Sequence, residues 1–367
     1  MWHKLDVILS TGKFGTQEGK RLALAQSGFR SEIRSLFKSL AGSFGRAAAI
    51  GLASALVAVP GTARAEELNV VATIKSIHSL VAQVMGDVGA PRLLVGGAAS
   101  PHTYSMKPSD ARALNAARVV FRVSEEIEPF TRKIVASLPK SVSVVTLADA
   151  PGLKLLDKRT GDTFEAHDHG DHGHHDHGHK DHAHKDHGHA DHDGGTVRDG
   201  HVWLDPENAA AMVREIARAL SEAAPEHTAT FKDNADKAIV GIDVLAKEIE
   251  AELAAVKGKS FVVFHDAYQY FEQRFGLTAA GAITVSPEVQ PSAKRLSEIR
   301  GQIKALGVAC VFAEPQFKSK LVATVIEGTG AKAGTLDPEG AAVEPGDGAY
   351  AALLRNLAQG LTSCLGT

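Results

Sequence analysis

The chain has 367 residues, 44% of them apolar, and a net charge of −3, which is enough material for two ordinary globular domains. The charge is uneven: residues 1–65 carry nine Lys/Arg against three Asp/Glu, so the remainder is strongly acidic at −9. An acidic body excludes nucleic acid as a partner and suits one that handles cations.

At the N-terminus, Lys38 and Arg46 precede an apolar run from Ala47 to Val59, closed by Pro60-Gly61-Thr62-Ala63-Arg64-Ala65. A run of about thirteen residues is too short for a bilayer, which takes ~20. It also lacks the polar face of an amphipathic core helix. Ala63-Arg64-Ala65 is a small-x-small cleavage signal, so residues 1–65 read as an N-terminal extension and signal peptide cleaved after Ala65. A signal peptide typically has 15–30 residues, so translation is expected to begin near Leu36 or Leu40. The mature protein is expected to be exported, soluble and periplasmic. No cysteine lies near the cleavage point, which argues against a lipid anchor.

The pattern then alternates. Leu68–Ile74 reads as a buried strand followed by a helix through Met85, and Arg92–Val95 as a second strand closed by Gly96-Gly97. Pro108-Ser109-Asp110 starts a helix, with Asp110 in its electronegative first turn. Val119–Val123 and Val142–Leu147 are further strands around a helix near Glu128–Ser137. Next comes a segment of different character, 158–198, in which twelve of the eighteen histidines fall between His167 and His192. They are His167, His169, His172, His174, His175, His177, His179, His182, His184, His187, His189 and His192, interleaved with aspartates in a near-repeat of five. With no apolar side chains to bury, such a segment is expected to be a disordered loop. Neutral imidazole is a common ligand for zinc, copper and nickel, so the loop reads as a metal-capturing element. A solvated linker or an expression tag is the bland alternative, but a tag sits at a terminus.

After the loop, Pro206–Ala223 is a helix broken by Pro225. A second, from about 228 to 256, buries Phe231, Ala235, Ala238, Ile242, Leu245, Ile249, Leu253 and Val256 along one stripe. At 1.5 Å per residue it runs ~40 Å, long enough to bridge two lobes. Strands follow at Phe261–Phe264, Ala279–Ile283, Val308–Ala313 and Lys332–Leu336, with helices at Lys294–Ala305 and Ser319–Gly328. The expected fold is therefore α/β: two α/β lobes, each a mostly parallel sheet with flanking helices, joined by one long rigid interlobe helix. The lobes are placed at 66–205 and 258–367, with a helical linker at 206–257. Only Cys310 and Cys364 are present. In an oxidising compartment the pair is expected to form a disulfide, the competing reading being a two-thiolate metal site.

Outside the loop the mature chain has five histidines: His78, His102, His201, His227 and His265. His102, His201 and His265 lie on strand-to-helix connections, the edge where open α/β sheets gather ligands. His78 falls inside a helix and His227 in an interhelix turn, positions more often structural or exposed. Three distant imidazoles with no close pair are by themselves a weak zinc signal.

The strings around them carry more. Pro101-His102-Thr103-Tyr104 with Lys107-Pro108-Ser109-Asp110, His201-Val202-Trp203-Leu204-Asp205-Pro206, and Phe264-His265-Asp266-Ala267-Tyr268-Gln269-Tyr270-Phe271 resemble motifs of the periplasmic zinc-binding proteins of ABC transporters (the ZnuA type). Val311-Phe312-Ala313-Glu314-Pro315-Gln316-Phe317 and Gly334-Thr335-Leu336-Asp337-Pro338 fit the same family, and the likeness spans Leu68 to Cys364. It implies a two-lobed receptor holding one zinc in its cleft through His102, His201 and His265, with Zn(2+) as the transported ligand. Manganese-binding relatives replace the third histidine by a carboxylate and add an acidic fourth ligand; here His265 and Phe317-Lys318 stand in those regions, which favours zinc. Water is the expected fourth ligand, with Glu314 or a loop histidine as alternatives. Asp205 and Asp266 are candidates to accept imidazole N–H groups, although Asp205 reads more readily as a helix cap ahead of Pro206.

The implied function is capture of zinc and delivery to an inner-membrane zinc ABC-transporter permease, by a monomer, with the loop as accessory and an auxiliary periplasmic zinc chaperone as a further partner. Two other classes remain open here. A periplasmic zinc buffer or metallochaperone would bind mainly through the loop. A zinc-dependent hydrolase would use a three-histidine site with water, but no H-E-x-x-H or nucleophile elbow accompanies it, so the chain is not expected to be an enzyme.

Overall fold

The computed structural model describes residues 68–159, 163–164, 197–284, 287, 290–317 and 320–367. The expected signal peptide, residues 1–65, and the twelve histidines between His167 and His192 lie outside the described residues. The described part forms two parallel four-stranded sheets with the same winding. The first contains β1 (Val70–Ala72), β2 (Arg92–Leu93), β3 (Val119–Arg122) and β4 (Ser143–Thr146) in the order β2-β1-β3-β4. The second contains β5 (Phe261–His265), β6 (Ala279–Thr284), β7 (Cys310–Ala313) and β8 (Lys332–Thr335) in the order β6-β5-β7-β8. β1 is shorter than its apolar run, yet pairing continues beyond it: Thr73 N donates to Phe121 O (3.1 Å) and Val95 N to Thr73 O (2.9 Å).

Helices cover the sheets. They are α1 (Lys75–Met85), α2 (Pro108–Ala116), α3 (Thr131–Val135), α4 (Pro206–Ala223), α5 (Thr228–Leu253), α6 (Gln269–Phe275), α7 (Ala293–Ala305), α8 (Lys320–Ile326) and α9 (Ala349–Leu365). The long helix α5 has the expected boundaries once its 3-10 extension, Ala254–Val256, is included. Its buried stripe is also as expected, with Phe231, Ala235, Ala238, Ile242, Leu245, Ile249 and Leu253 turned inward. It packs on α1, α4 and α9. The helix foreseen at 128–137 contracts to α3, because Glu128 spends its side chain on the preceding loop instead of starting a helix. Two helices are additions. α6 is short, whereas α9 shows a regular stripe of Tyr350, Leu353, Leu354, Leu357, Leu361, Cys364 and Leu365 on its buried face. Among the described residues no helix is long and apolar enough to cross a membrane.

A single apolar core runs through both lobes, from Val70 and Phe121 past Trp203 and Ile242 to Phe261, Phe312 and Leu353. The outer face of the second sheet has its own cluster, including Val262, Phe264, Ile283, Ile299, Val311 and Val322. β5 alternates between the two, as side chains of period two must. Polar ties cross the same boundary. The Lys75 ammonium, at the start of α1, donates to the carbonyls of Gly340, Ala341 (2.9 Å) and Val343 (3.0 Å). Trp203 Nε1 donates to Pro338 O (3.1 Å).

Cys310 and Cys364 are joined as a disulfide that links β7 to α9, with Cα atoms 6.2 Å apart, so neither sulfur is a metal ligand. The bond closes a loop with a sequence separation of 54, for which chain entropy gives about 4 kcal/mol. Replacing both cysteines by alanine is expected to lower stability by about 2–5 kcal/mol, read as a lower denaturant midpoint. An unchanged midpoint under oxidising conditions would show that the bond contributes nothing.

Candidate metal centre

His265 is the last residue of β5 and Glu314 the first after β7. β5 and β7 are the adjacent strands at which the winding of the second sheet reverses, so both side chains sit at a topological switch point. There the Glu314 carboxylate meets the imidazole edge-on: His265 Nδ1 lies 2.8 Å from both Oε1 and Oε2. Tyr268 OH donates to the same carboxylate at 3.1 Å. With Nδ1 so engaged, Nε2 is the free face of the ring. Burial works to lower the His265 pKa, but the Glu314 charge and hydrogen bond reverse the sign and hold it above the usual imidazole value.

His201 reaches the same point from the first lobe. It follows a short antiparallel ladder rather than a sheet strand: Lys158 N donates to Val197 O (2.8 Å) and Asp199 N to Leu156 O (2.9 Å). Asp199, at the end of this ladder, accepts from the His201 backbone N–H (3.0 Å) and lies 2.7 Å from its Nδ1. Burial pushes the Asp199 carboxyl up to about 6 and the His201 imidazole well below its usual value. Gly200 between them is needed for space, since a Cβ there would meet Ile127 at 2.7 Å. The loop carrying Ile127 is in turn fixed by Glu128, whose fully buried carboxylate accepts from Val123 N, Ser124 N and the Thr73 hydroxyl. Burial lifts the Glu128 carboxyl to about 7.

His102 completes the set from a 3-10 turn, Pro101–Thr103, beyond β2. Two residues on, Tyr104 OH donates to Asp110 Oδ2 (2.8 Å), and the same oxygen caps α2 by accepting from Lys107 N (2.9 Å). The motif Pro101–Asp110 is thus one clamped unit. His102 is half-buried, and burial together with the neighbouring imidazoles pushes its pKa down to about 2.

One ring nitrogen from each of His102, His201 and His265 falls within 4.8 Å of the other two. His201 Nε2 and His265 Nε2 are 3.4 Å apart. Zinc bonds of ~2.0–2.1 Å in a tetrahedral array put donor nitrogens about 3.3 Å apart, so this pair already stands at the spacing of a tetrahedron edge. The other expected partners take different places. Asp205 caps α4 by accepting from Glu207 N (2.9 Å), and Asp266 pairs with Arg159. Glu314 faces Nδ1 of His265 and not the side where the Nε2 atoms converge. The carboxylate that serves His201 is Asp199, which directly follows the 158–198 segment and carries only the spacing Asp-x-His as a signal in the sequence. His78 is buried with Nε2 on Pro91 O (3.0 Å), and His227 is on the surface. Phe317 stacks on Phe264 with centroids 4.9 Å apart and stands edge-on to His265 at 6.2 Å.

Because the Glu314 charge is what raises His265, Glu314→Gln is expected to move the His265 midpoint downward. Imidazole NMR titration of the metal-free protein reads this directly, and an unmoved midpoint would remove Glu314 from that role.

Comparison with known proteins supports the same family. Residues 70–364 match the family described as zinc-uptake complex component A, periplasmic. The high-affinity zinc uptake system protein ZnuA of Brucella abortus (strain 2308) is 51% identical over 308 residues, covering 82% of this chain and 92% of its own. That of Paracoccus denitrificans is 42% identical over 322 residues, covering 88% and 99%. A ZnuA crystal structure superimposes with a TM-score of 0.64 over 82% of this chain and all of its own, at 22% identity, which bears on the fold alone. Proteins of this family are transport receptors and not enzymes. The chain belongs to the ZnuA family of periplasmic zinc-binding, solute-binding proteins of zinc-uptake systems.

Proposed function

We propose that this protein is the periplasmic receptor of a zinc-uptake system, which binds one Zn²⁺ through His102, His201 and His265 and delivers it to an inner-membrane ABC permease. The convergence of three imidazole nitrogens within 4.8 Å is the observation that carries the reading. Zinc is taken as neutral-imidazole cargo, with water in the fourth position. Asp199 and Glu314 hold the Nδ1 side of two of the rings, which fixes their orientation and raises their basicity as ligands. One chain supplies all three imidazoles, so a monomer suffices. The preceding residues 1–65 act as extension and export signal.

The histidine-rich segment is assigned an accessory part: it collects several metal ions weakly, whereas ligands on a packed frame hold one tightly. Metal titration with a competing chelator decides between this and a loop-based buffer. Deleting Gly161–Gly195 should leave one tight zinc site. Changing His102, His201 or His265 singly to Ala should cost more than the roughly 10–100-fold that loss of an outer partner costs. Loss of all tight binding with the segment would assign the protein to the buffer class instead.

The pH response has a definite sign. Metal requires neutral imidazole, and His265 is the ligand whose pKa is raised while those of His102 and His201 are lowered. His265 is therefore protonated first as pH falls, and zinc affinity should drop through its midpoint. Calorimetric affinities across a pH series test this, and an affinity that stays flat through the His265 titration would contradict it.

A further inference from the structure

Arg159 is the residue next to the ladder that carries Asp199, and it leaves the first lobe to bind the second. Its Nε donates to both oxygens of Asp266 (3.0 and 3.1 Å) and its Nη2 also reaches Asp266. Nη1 donates to Glu272 Oε2 (2.8 Å) and Nη2 to Glu272 Oε1 (2.9 Å). All three side chains are largely shielded, at 18%, 11% and 4% exposure for Arg159, Asp266 and Glu272. The Phe164 ring covers the guanidinium with its centroid 4.1 Å from Cζ. Further along, Thr163 O accepts from Ala282 N on the edge strand β6 (3.0 Å) and from Arg295 (2.9 Å). Gly281 makes this approach possible, since a Cβ there would meet Thr163 O at 2.9 Å.

The partners of Arg159 matter because of what they adjoin. Asp266 follows His265 directly, and Glu272 also accepts from Ala279 N at the start of β6 (2.8 Å). On the other side, two residues before Arg159, the ladder begins that ends in Asp199 and its hydrogen bond to His201. The guanidinium therefore links the segment that leads into the His201 ladder to the segment bearing His265. Tyr270 of α6 makes a parallel tie, accepting from Leu156 N (3.0 Å) and donating to Asp199 O (2.9 Å).

We infer that Arg159 is a positioning residue for zinc: by bridging Asp266 and Glu272 from the base of the first lobe it sets the separation of the His201 and His265 nitrogens. It touches no metal and acts only through the ligand-bearing segments. A planar guanidinium can bond two carboxylates at once in fixed geometry, which a lysine ammonium cannot reproduce. The inference rests on the zinc reading above.

The test uses the full mature chain and compares wild type with Arg159→Gln and Arg159→Lys. Zinc affinity is measured against a chromophoric chelator tight enough to report the strongest site, ligand geometry by the visible spectrum of the Co²⁺-loaded protein, and frame stability by the Tm of metal-free protein. Arg159→Gln is expected to weaken zinc by about 10–100-fold, the usual range for an outer partner, and to alter the Co²⁺ spectrum. Arg159→Lys should fall between the two, and it carries the test alone if Arg159→Gln does not fold. A lowered Tm with wild-type zinc affinity and Co²⁺ spectrum would overturn the inference, leaving Arg159 as structural packing. A wild type that binds no zinc, or a His265→Ala variant that binds it as well as wild type, would instead sink the zinc reading beneath it.

Discussion

A buried imidazole can aim one nitrogen at a metal only if its other nitrogen is satisfied, and the site is organised around that requirement. His201 and His265 are both nearly inaccessible, and each has Nδ1 within 2.8 Å of a carboxylate supplied by an adjoining element. The tautomer and ring angle are then set before any cation arrives. The same two carboxylates address the electrostatic problem of the cargo. A divalent ion held by neutral imidazoles leaves two positive charges in a shielded place, at a desolvation cost of several kcal/mol per ion unless it is compensated. Asp199 and Glu314 are buried acids in contact with His201 and His265, where they would offset the charge of a bound cation.

The frame behind the ligands favours a site formed in advance. Both lobes share one apolar core, and α5 packs on helices of both. A wide rigid-body opening would expose that core, at about 25 cal/mol per Å² of apolar surface. A local change in the connections that carry the three histidines would leave that core covered. Of the three histidines His102 has the most access to solvent, and it is held by a 3-10 turn and the Tyr104–Asp110 contact.

Much of this was legible in the sequence for physical reasons. The stripe of α5 repeats every three or four residues and admits no other reading, and β5 is an uninterrupted apolar run whose last residue is polar, which places His265 at the strand end. Resemblance of three short strings then joined three histidines that spacing alone could not connect. What escaped was tertiary. Asp199 looked like the edge of a polar segment because its importance comes from lying beside a ring two residues away. Asp266 looked like a neighbour for an imidazole, but side chains alternate across a strand end, and it turns instead to Arg159. Arg159 itself carries no local signal, since its partners are more than a hundred residues distant. α9 was a different kind of miss: its stripe is present in the sequence, but its N-cap is Gly348, with no side-chain cap to mark the start.

Selectivity follows from what surrounds the nitrogens. Hard cations such as Mn²⁺ want several oxygen donors, and among the described residues the convergent donor group consists of imidazoles alone. The two carboxylates nearby face the wrong nitrogens to serve as ligands. Beside His265 stands Phe317, stacked on Phe264, and beside His201 stands the buried ring of Trp203, with centroids 5.3 Å apart. These rings place apolar surface beside His265 and His201. The ordering of divalent affinities still places Cu²⁺ above Zn²⁺ for such donors. An all-imidazole donor group suits a borderline cation better than a hard, oxygen-seeking one.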